Sequence, residues 1–243
     1  MDTGLKSRTV LVTGATGGIG AATVRLLMKE GANAIAAGRN REQLTQLSSD
    51  TGCETLSFDL TSEVEIKDAI EGVELYGVVN CGGWGGEIAT PGETDIDVFD
   101  KVIDINTRGT LLVTKYASRS MVAAGNGGSI VNVSSQASLV GLAGHISYAS
   151  SKGAVDAMTR VSALELGKHN IRVNAVNPTV VMTPMSEWYW GREEIGGPLL
   201  QSMPLHRWAT EDDCAGPIVF LLSDAAAMIS GVCLPVDGGF TAV

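Results

Sequence analysis

Tyr148 and Lys152 stand four residues apart in YASSK, at the start of a stretch with helical spacing, so both side chains project from one helix face. A phenol has a pKa of about 10 and is a poor acid or base near neutrality. An ammonium beside it favours the phenolate and lowers that value. Such a pair can deliver a proton to an oxygen on which negative charge is developing. Ser135 ends the run VNVSS (Val131–Ser135), and its hydroxyl can bond the same oxygen and stabilise its charge. On most helices a tyrosine and a lysine at this spacing are simply surface residues. Here they gain weight from the paired serines at a strand end and from a glycine-rich turn far upstream.

That turn is Thr13–Gly20 (TGATGGIG), lying between a β-branched run, Arg8–Thr13, and a stretch of helical spacing, Ala21–Glu30. Gly14, Gly18 and Gly20 allow a tight turn and let the backbone approach a pyrophosphate, with Thr16 and Ile19 between them. The helix that follows offers free N–H groups and a favourable dipole to an anion. Placed after the first strand, the turn reads as a dinucleotide site. The second strand ends in Gly38-Arg39, where an NAD-binding chain commonly carries an acid for the ribose 2′-OH. A guanidinium at that point can grip a 2′-phosphate, which favours NADP(H). Asp59 and Leu60 close the third strand, where adenine would lie; Asp59 can accept from the adenine amino group or equally cap the next helix. Asn80 ends the fourth strand and can pin the glycine-rich loop Cys81–Gly86.

The elements that must position these residues alternate along the whole chain. Strand-like runs fall at Arg8–Thr13, Asn33–Ala37, Thr55–Phe58, Tyr76–Val79, Ser129–Val133, Ile171–Val176 and Val232–Val236. Helical stretches lie between them at Ala21–Glu30, Arg41–Ser48, from a Ser62/Glu65 capping box to Ile70, Ile96–Ala124, Tyr148–Lys168, and from Thr210 to Leu222. This order predicts an α/β chain: a Rossmann-type, doubly wound parallel sheet of about seven strands with helices on both faces. One domain over residues 1–243 is expected, because nothing resembling a linker or repeat interrupts the series. On such a sheet, ligands bind beyond the carboxyl ends of the strands, where the residues above fall.

The charge balance is −10, from 17 Lys and Arg against 27 Asp and Glu, which argues against nucleic acid and anionic membranes. Cys53, Cys81, Cys214 and Cys233 are widely spaced without CxxC or nearby histidine, so they read as thiols in a reducing cytoplasm and no metal site is expected. No apolar signal core precedes Val10 and no run of about 18 apolar residues occurs, so a cytoplasmic protein is expected.

TGATGGIG, the NTRG containing Asn106, VNVSS, YASSK, NPTVVMT (Asn177–Thr183) and the terminal VDGGF occur in the order found in the short-chain dehydrogenase/reductases. The sequence resembles that family over essentially its full length. The resemblance implies a catalytic tetrad of Asn106, Ser135, Tyr148 and Lys152, with Asn106 holding a water that links Lys152 to solvent. It also implies that Tyr148 and Lys152 bond the nicotinamide ribose, that Val181 and Thr183 bind the carboxamide, and that Asn80 and Gly82 border the cofactor. The chain departs from the family's usual Asn-Asn-Ala-Gly with Asn80-Cys81-Gly82-Gly83, followed by Trp84-Gly85-Gly86, and has Pro178-Thr179 for Pro-Gly.

Within the family the likeness is greatest to reductases of ketoses such as L-xylulose and of α-dicarbonyls such as diacetyl. It points to Ser135, Gln136, His145, Tyr148 and Trp190 as the substrate's neighbours, with a lid at about 184–208. His145 and Gln136 can hydrogen-bond hydroxyls, and an indole can cover the C–H face of a polyol. The alternatives are reduction of 3-oxoacyl groups on acyl carrier protein, oxidation of a polyol or secondary alcohol, and a non-catalytic NADP(H)-binding sensor. Carrier proteins are acidic, so a chain at −10 would tend to repel them unless Arg108, Lys115 and Arg119 cluster. Small and apolar residues spread widely around the helix from Tyr148 suggest burial on two sides, and the resemblance implies a homotetramer.

Overall fold

The computed structural model describes residues 3–242; of the span 1–243, residues 1, 2 and 243 lie outside the described residues. Seven strands, β1 (Thr9–Thr13), β2 (Asn33–Gly38), β3 (Glu54–Ser57), β4 (Gly77–Asn80), β5 (Gly128–Val133), β6 (Ile171–Pro178) and β7 (Cys233–Val236), form one sheet. Their spatial order is β3-β2-β1-β4-β5-β6-β7, and every neighbouring pair is parallel. The order reverses between β1 and β4, which opens a crevice at their carboxyl ends.

The two-residue period of the strands divides the core. Val10 and Val12 of β1 face Val24 and Leu27 of α1 (Gly18–Lys29) and Ile218 and Leu222 of α9 (Glu211–Leu222). Leu11 faces the other way, into a layer with Ile66 and Ile70 of α3 (Glu63–Ile70) and Val113 and Met121 of α5 (Gly109–Ala124). A sheet covered on both faces buries whole strands, and all four residues of β4 are buried. The doubly wound arrangement is the one the alternation predicts.

Three local features differ from expectation. Ser62 accepts from the Glu65 N–H at 3.3 Å, but the Glu65 carboxylate accepts from the Asp59 N–H at 2.9 Å, so the reciprocal half of the capping box is missing. The long helix predicted over Ile96–Ala124 is broken into α4 (Ile96–Ile103), a π-helical turn over Asp104–Arg108, and α5. A π turn inserts a wider loop into the helical ladder, and it falls where Asn106 must leave the helix to reach a neighbouring loop. The segment after β6 contains two helices, α7 (Pro184–Trp190) and α8 (Glu193–Ser202), where the sequence showed no helical pattern. Two helices, α2 (Arg41–Thr51) and α6 (Ile146–Leu166), complete the layers around the sheet.

Candidate active site

The strand ends border a cleft of about 530 Å³ that runs from the turn after β1 to the aromatic residues of α7. Its first part is built of backbone. Gly14 has φ +63°, and a Cβ there would stand 2.6 Å from the Gly82 backbone; a Cβ on Gly20 would meet the Gly14 carbonyl oxygen at 2.3 Å. Only glycine permits this approach of turn, helix and loop. Thr13 locks the loop: its hydroxyl accepts the N–H groups of Cys81 (3.2 Å) and Gly82 (3.3 Å). Helix α1 begins at Gly18 with no acid in its first turn, so its free N–H groups and positive dipole end face the cleft. A dinucleotide's phosphates fit such a cradle. Gly14, Thr16, Gly18, Ile19, Gly20, Gly82, Val181 and Thr183 all line it.

Arg39, Asp59 and Leu60 line the far end. The Arg39 side chain is 71% exposed and its Nη1 lies 3.5 Å from Asp59 Oδ2. Asp59 Oδ1 accepts from both the N–H and the hydroxyl of Thr61 at 2.8 Å. Burial works to raise the Asp59 carboxyl, but these donors and Arg39 outweigh it and hold it below its ordinary value. Asp59 therefore closes a turn onto Thr61, while Ser62 caps α3. Asn80 does not line the cleft: its carboxamide donates to Asn132 Oδ1 (2.8 Å) and Thr114 Oγ1 (3.1 Å), tying β4 to β5 and α5. The task of pinning the loop falls to Thr13 instead.

Helix α6 and the end of β5 bring Ser135, Tyr148 and Lys152 together. Ser135 and Tyr148 both line this part of the cleft, and Ser135 Oγ accepts the Ala137 N–H at 3.2 Å. Behind Ser135, Asn177 donates to its carbonyl oxygen (3.1 Å) and to the buried Asp156 carboxylate (3.0 Å). The Lys152 ammonium donates to the Val133 carbonyl at 2.7 Å and lies 5.7 Å from the centre of the Tyr148 ring. Burial pushes the Tyr148 phenol up, and the nearby Ser135 hydroxyl offsets only part of this. Burial likewise pushes Lys152 down to about 8. The expected lowering of the phenol by the ammonium is thus absent from this arrangement, because desolvation dominates and the ammonium is directed to a carbonyl. Asn106 is fully buried; its Oδ1 accepts the Trp84 N–H (2.7 Å), and its Nδ2 donates to Trp84 O (2.9 Å) and Ser151 Oγ (3.0 Å).

On the remaining wall, His145 Nδ1 lies 2.7 Å from the Ala143 carbonyl. A carbonyl oxygen only accepts, so Nδ1 carries the proton and Nε2 is left as an acceptor. Burial lowers the His145 pKa, which keeps the ring neutral. Trp190 stacks on this imidazole with centroids 5.5 Å apart, and Tyr189 meets it edge-on at 5.9 Å. Gln136 is buried beside them, and its Oε1 has no partner. Sequence reasoning gave no role to four residues of the site: Thr13, whose hydroxyl looked like strand; Asn177 and Asp156, which pair behind Ser135; and Tyr189. Thr13 and Asn177 stood inside quoted motifs and Tyr189 in the run Trp188-Tyr189-Trp190, whereas Asp156 gave no signal.

The sequence profile of the family described as enoyl-(acyl carrier protein) reductase matches residues 14–241. The chain is 40% identical over 243 residues to L-xylulose reductase of Bos taurus, covering all of both chains. It is 38% identical over 240 residues to D-erythrulose reductase of Gallus gallus, covering 98% of each. Among solved structures, a short-chain type dehydrogenase/reductase from Mycobacterium ulcerans superposes with a TM-score of 0.95 at 32% identity, over 98% of this chain and 91% of that one.

Proposed function

The chain belongs to the short-chain dehydrogenase/reductase family of oxidoreductases, whose members bind a nicotinamide cofactor, and from that premise we propose that it reduces the ketone of a hydroxylated small molecule, a ketose such as L-xylulose, using NADPH. The observation that carries this reading is the grouping of Ser135, Tyr148 and Lys152 beside the glycine cradle. When bound, the cofactor supplies hydride to the carbonyl carbon. Ser135 donates a hydrogen bond to the carbonyl oxygen, and Tyr148 passes its phenolic proton to that oxygen as charge develops there. A phenol raised by burial stays protonated through the neutral range, as a donor must. Lys152, still charged below about 8, balances the phenolate left behind and bonds the nicotinamide ribose together with Tyr148. Asn106 anchors the loop beside Lys152 and, within the proposal, carries the water that returns its proton. Val181 and Thr183 hold the carboxamide, Asp59 and Leu60 the adenine, and residues 184–208 act as the substrate lid.

The case for NADPH rests on Arg39, which is exposed enough to turn from Asp59 towards a 2′-phosphate. Hydrogen bonds between charged groups are worth about 1.5–3 kcal/mol, or roughly 10–100-fold in affinity. Arg39→Ala is therefore expected to raise KM for NADPH by at least about ten-fold and that for NADH by less than about three-fold. Equal losses would take the 2′-phosphate away from Arg39.

Hydroxylated ketones are favoured over α-dicarbonyls by His145, whose free Nε2 needs a donor; a ketose hydroxyl supplies one and diacetyl does not. Docking of an acidic carrier is disfavoured because Lys115 and Arg108 pair with Glu63 and Asp104, and Arg119 lies over the Tyr116 ring. Nicotinamide absorbance followed with NADPH and NADH against L-xylulose, diacetyl and an acetoacetyl thioester tests the reading. NADPH with the sugar should lead diacetyl about ten-fold in kcat/KM. Activity confined to the thioester or to NADH would overturn the substrate or the cofactor, and binding without turnover would leave a nucleotide sensor.

Assembly as a homotetramer belongs to the same proposal, since Val161 and Leu164 on α6 are 54% and 82% exposed; sedimentation as a monomer would remove it. No helix among the described residues is long and apolar enough to cross a membrane, and the cytoplasm is proposed as the compartment, in keeping with the free thiols.

A further inference from the structure

We propose that Trp84 forms a second aromatic wall of the substrate site and admits, beside open-chain ketoses, hydroxyketones whose reacting carbon belongs to a ring, an inference that rests on the carbonyl reduction proposed above. Trp84 lines the cleft from the loop after β4. Asn106 grips its backbone on both sides, accepting the Trp84 N–H at 2.7 Å and donating to its carbonyl at 2.9 Å. Gly83, one residue earlier, is so close to Lys152 that a Cβ there would stand 3.5 Å from Nζ. The Trp84 backbone is thus fixed one residue from the group that serves proton transfer. Beyond it the chain turns at Gly86, with φ +71°, and the Ala89 N–H donates to the Gly144 carbonyl at 2.9 Å, in register with His145. The loop is fastened at one end to the π turn and at the other to the segment that carries His145. The Lys101 ammonium, 4.7 Å from the indole centroid, steadies the side chain through its ring face.

Trp190 and Tyr189 line the same cleft, packed on His145. Among the described residues no ring contact joins them to Trp84, which lines the cleft from a different loop. Flat apolar faces are covered well by a compact, C–H-rich ligand that loses little torsional freedom on binding. A saturated ring ketone with a neighbouring hydroxyl meets this requirement and also supplies the donor that His145 Nε2 accepts. An open chain of equal carbon content must freeze several rotors to cover the same faces.

The probes are 2-hydroxycyclohexanone and the open-chain acyloin 4-hydroxyhexan-3-one, which have the same carbon count and the same reacting groups. With NADPH, the unmodified enzyme is expected to favour the ring about ten-fold in kcat/KM. Trp84→Ala should bring the ratio to within about two-fold, and Trp84→Phe should keep most of it. Should Trp84→Ala lose its thermal transition, Trp84→Leu, which fills space without a flat face, is measured in its place. Equal use of the two ketones by the unmodified enzyme, or an undiminished ratio in the variant, overturns the role of Trp84 while leaving carbonyl reduction intact. Turnover of neither ketone while L-xylulose is reduced overturns the role of Trp84 alone, and turnover of none of the three with either nicotinamide removes both readings.

Discussion

Tyr148→Phe is expected to lower kcat for ketone reduction by about 10³-fold while changing the dissociation constant for NADPH by less than about five-fold. The substitution removes one oxygen and leaves the ring, so the packing at the start of α6 survives. What disappears is the only phenolic proton at this end of the cleft among the groups assigned to the reaction. Ser135 cannot replace it, because a serine hydroxyl is too weak an acid near neutrality to be more than a hydrogen-bond donor. The proposed nucleotide contacts are spread over the glycine turn, α1 and the β2 terminus, all of which line the cleft, so loss of one hydroxyl near the proposed ribose position is expected to cost little affinity. Single-turnover absorbance for the chemical step and quenching of reduced-nicotinamide fluorescence for binding separate the two quantities. A variant retaining a tenth or more of the normal kcat would mean that another group, or water, supplies the proton.

The parts of this site that follow from strand order were legible in the sequence. A glycine turn after the first strand, serines after the fifth and Tyr148 with Lys152 on the next helix have to converge once the sheet is parallel and doubly wound. What was not legible depends on where each polar tip finds its partner. The spacing of Tyr148 and Lys152 says that they share a face, but not that the ammonium turns to the Val133 carbonyl and leaves the phenol to the effect of burial. Arg39 read as a free cation because Asp59 is 20 positions away in the chain and meets it only through the pairing of β2 with β3. Helix α8 was hidden by Gly196, Gly197 and Pro198, residues that lower helix propensity and leave tertiary packing to decide the outcome. The π turn at Asn106 has no local signature; what accompanies it is the pair of bonds from Asn106 to the Trp84 backbone, a partner distant in the chain.

Lys152→Met is expected to cut kcat by at least about 10²-fold and yet raise the melting temperature at pH 7 by about 5 °C. Lys152 is only 5% exposed, and burial lowers its pKa from 10.5 to about 8. Below about 8 the ammonium is charged in both the folded and unfolded chain, and the folded state carries the full penalty, about 3 kcal/mol. The bond to Val133 returns about 1 kcal/mol of this, and a methionine of similar length fills the space without the charge. As pH rises from about 8 to about 10.5 the folded lysine is already neutral while the unfolded one is still losing its proton, so the penalty fades. The advantage of the variant should therefore be greatest at pH 7 and vanish near pH 10.5. Over the lower part of that range, reduction by the unmodified enzyme should decline as the charge that balances the Tyr148 phenolate is lost. Thermal unfolding of both proteins at pH 7, 9 and 10.5 measures the difference. A variant less stable at every pH, by a constant margin, would show that the ammonium is well accommodated and that its placement in the core costs the fold nothing. The expected pattern would instead identify Lys152 as a charge held in an unfavourable place because the proton transfer requires it there.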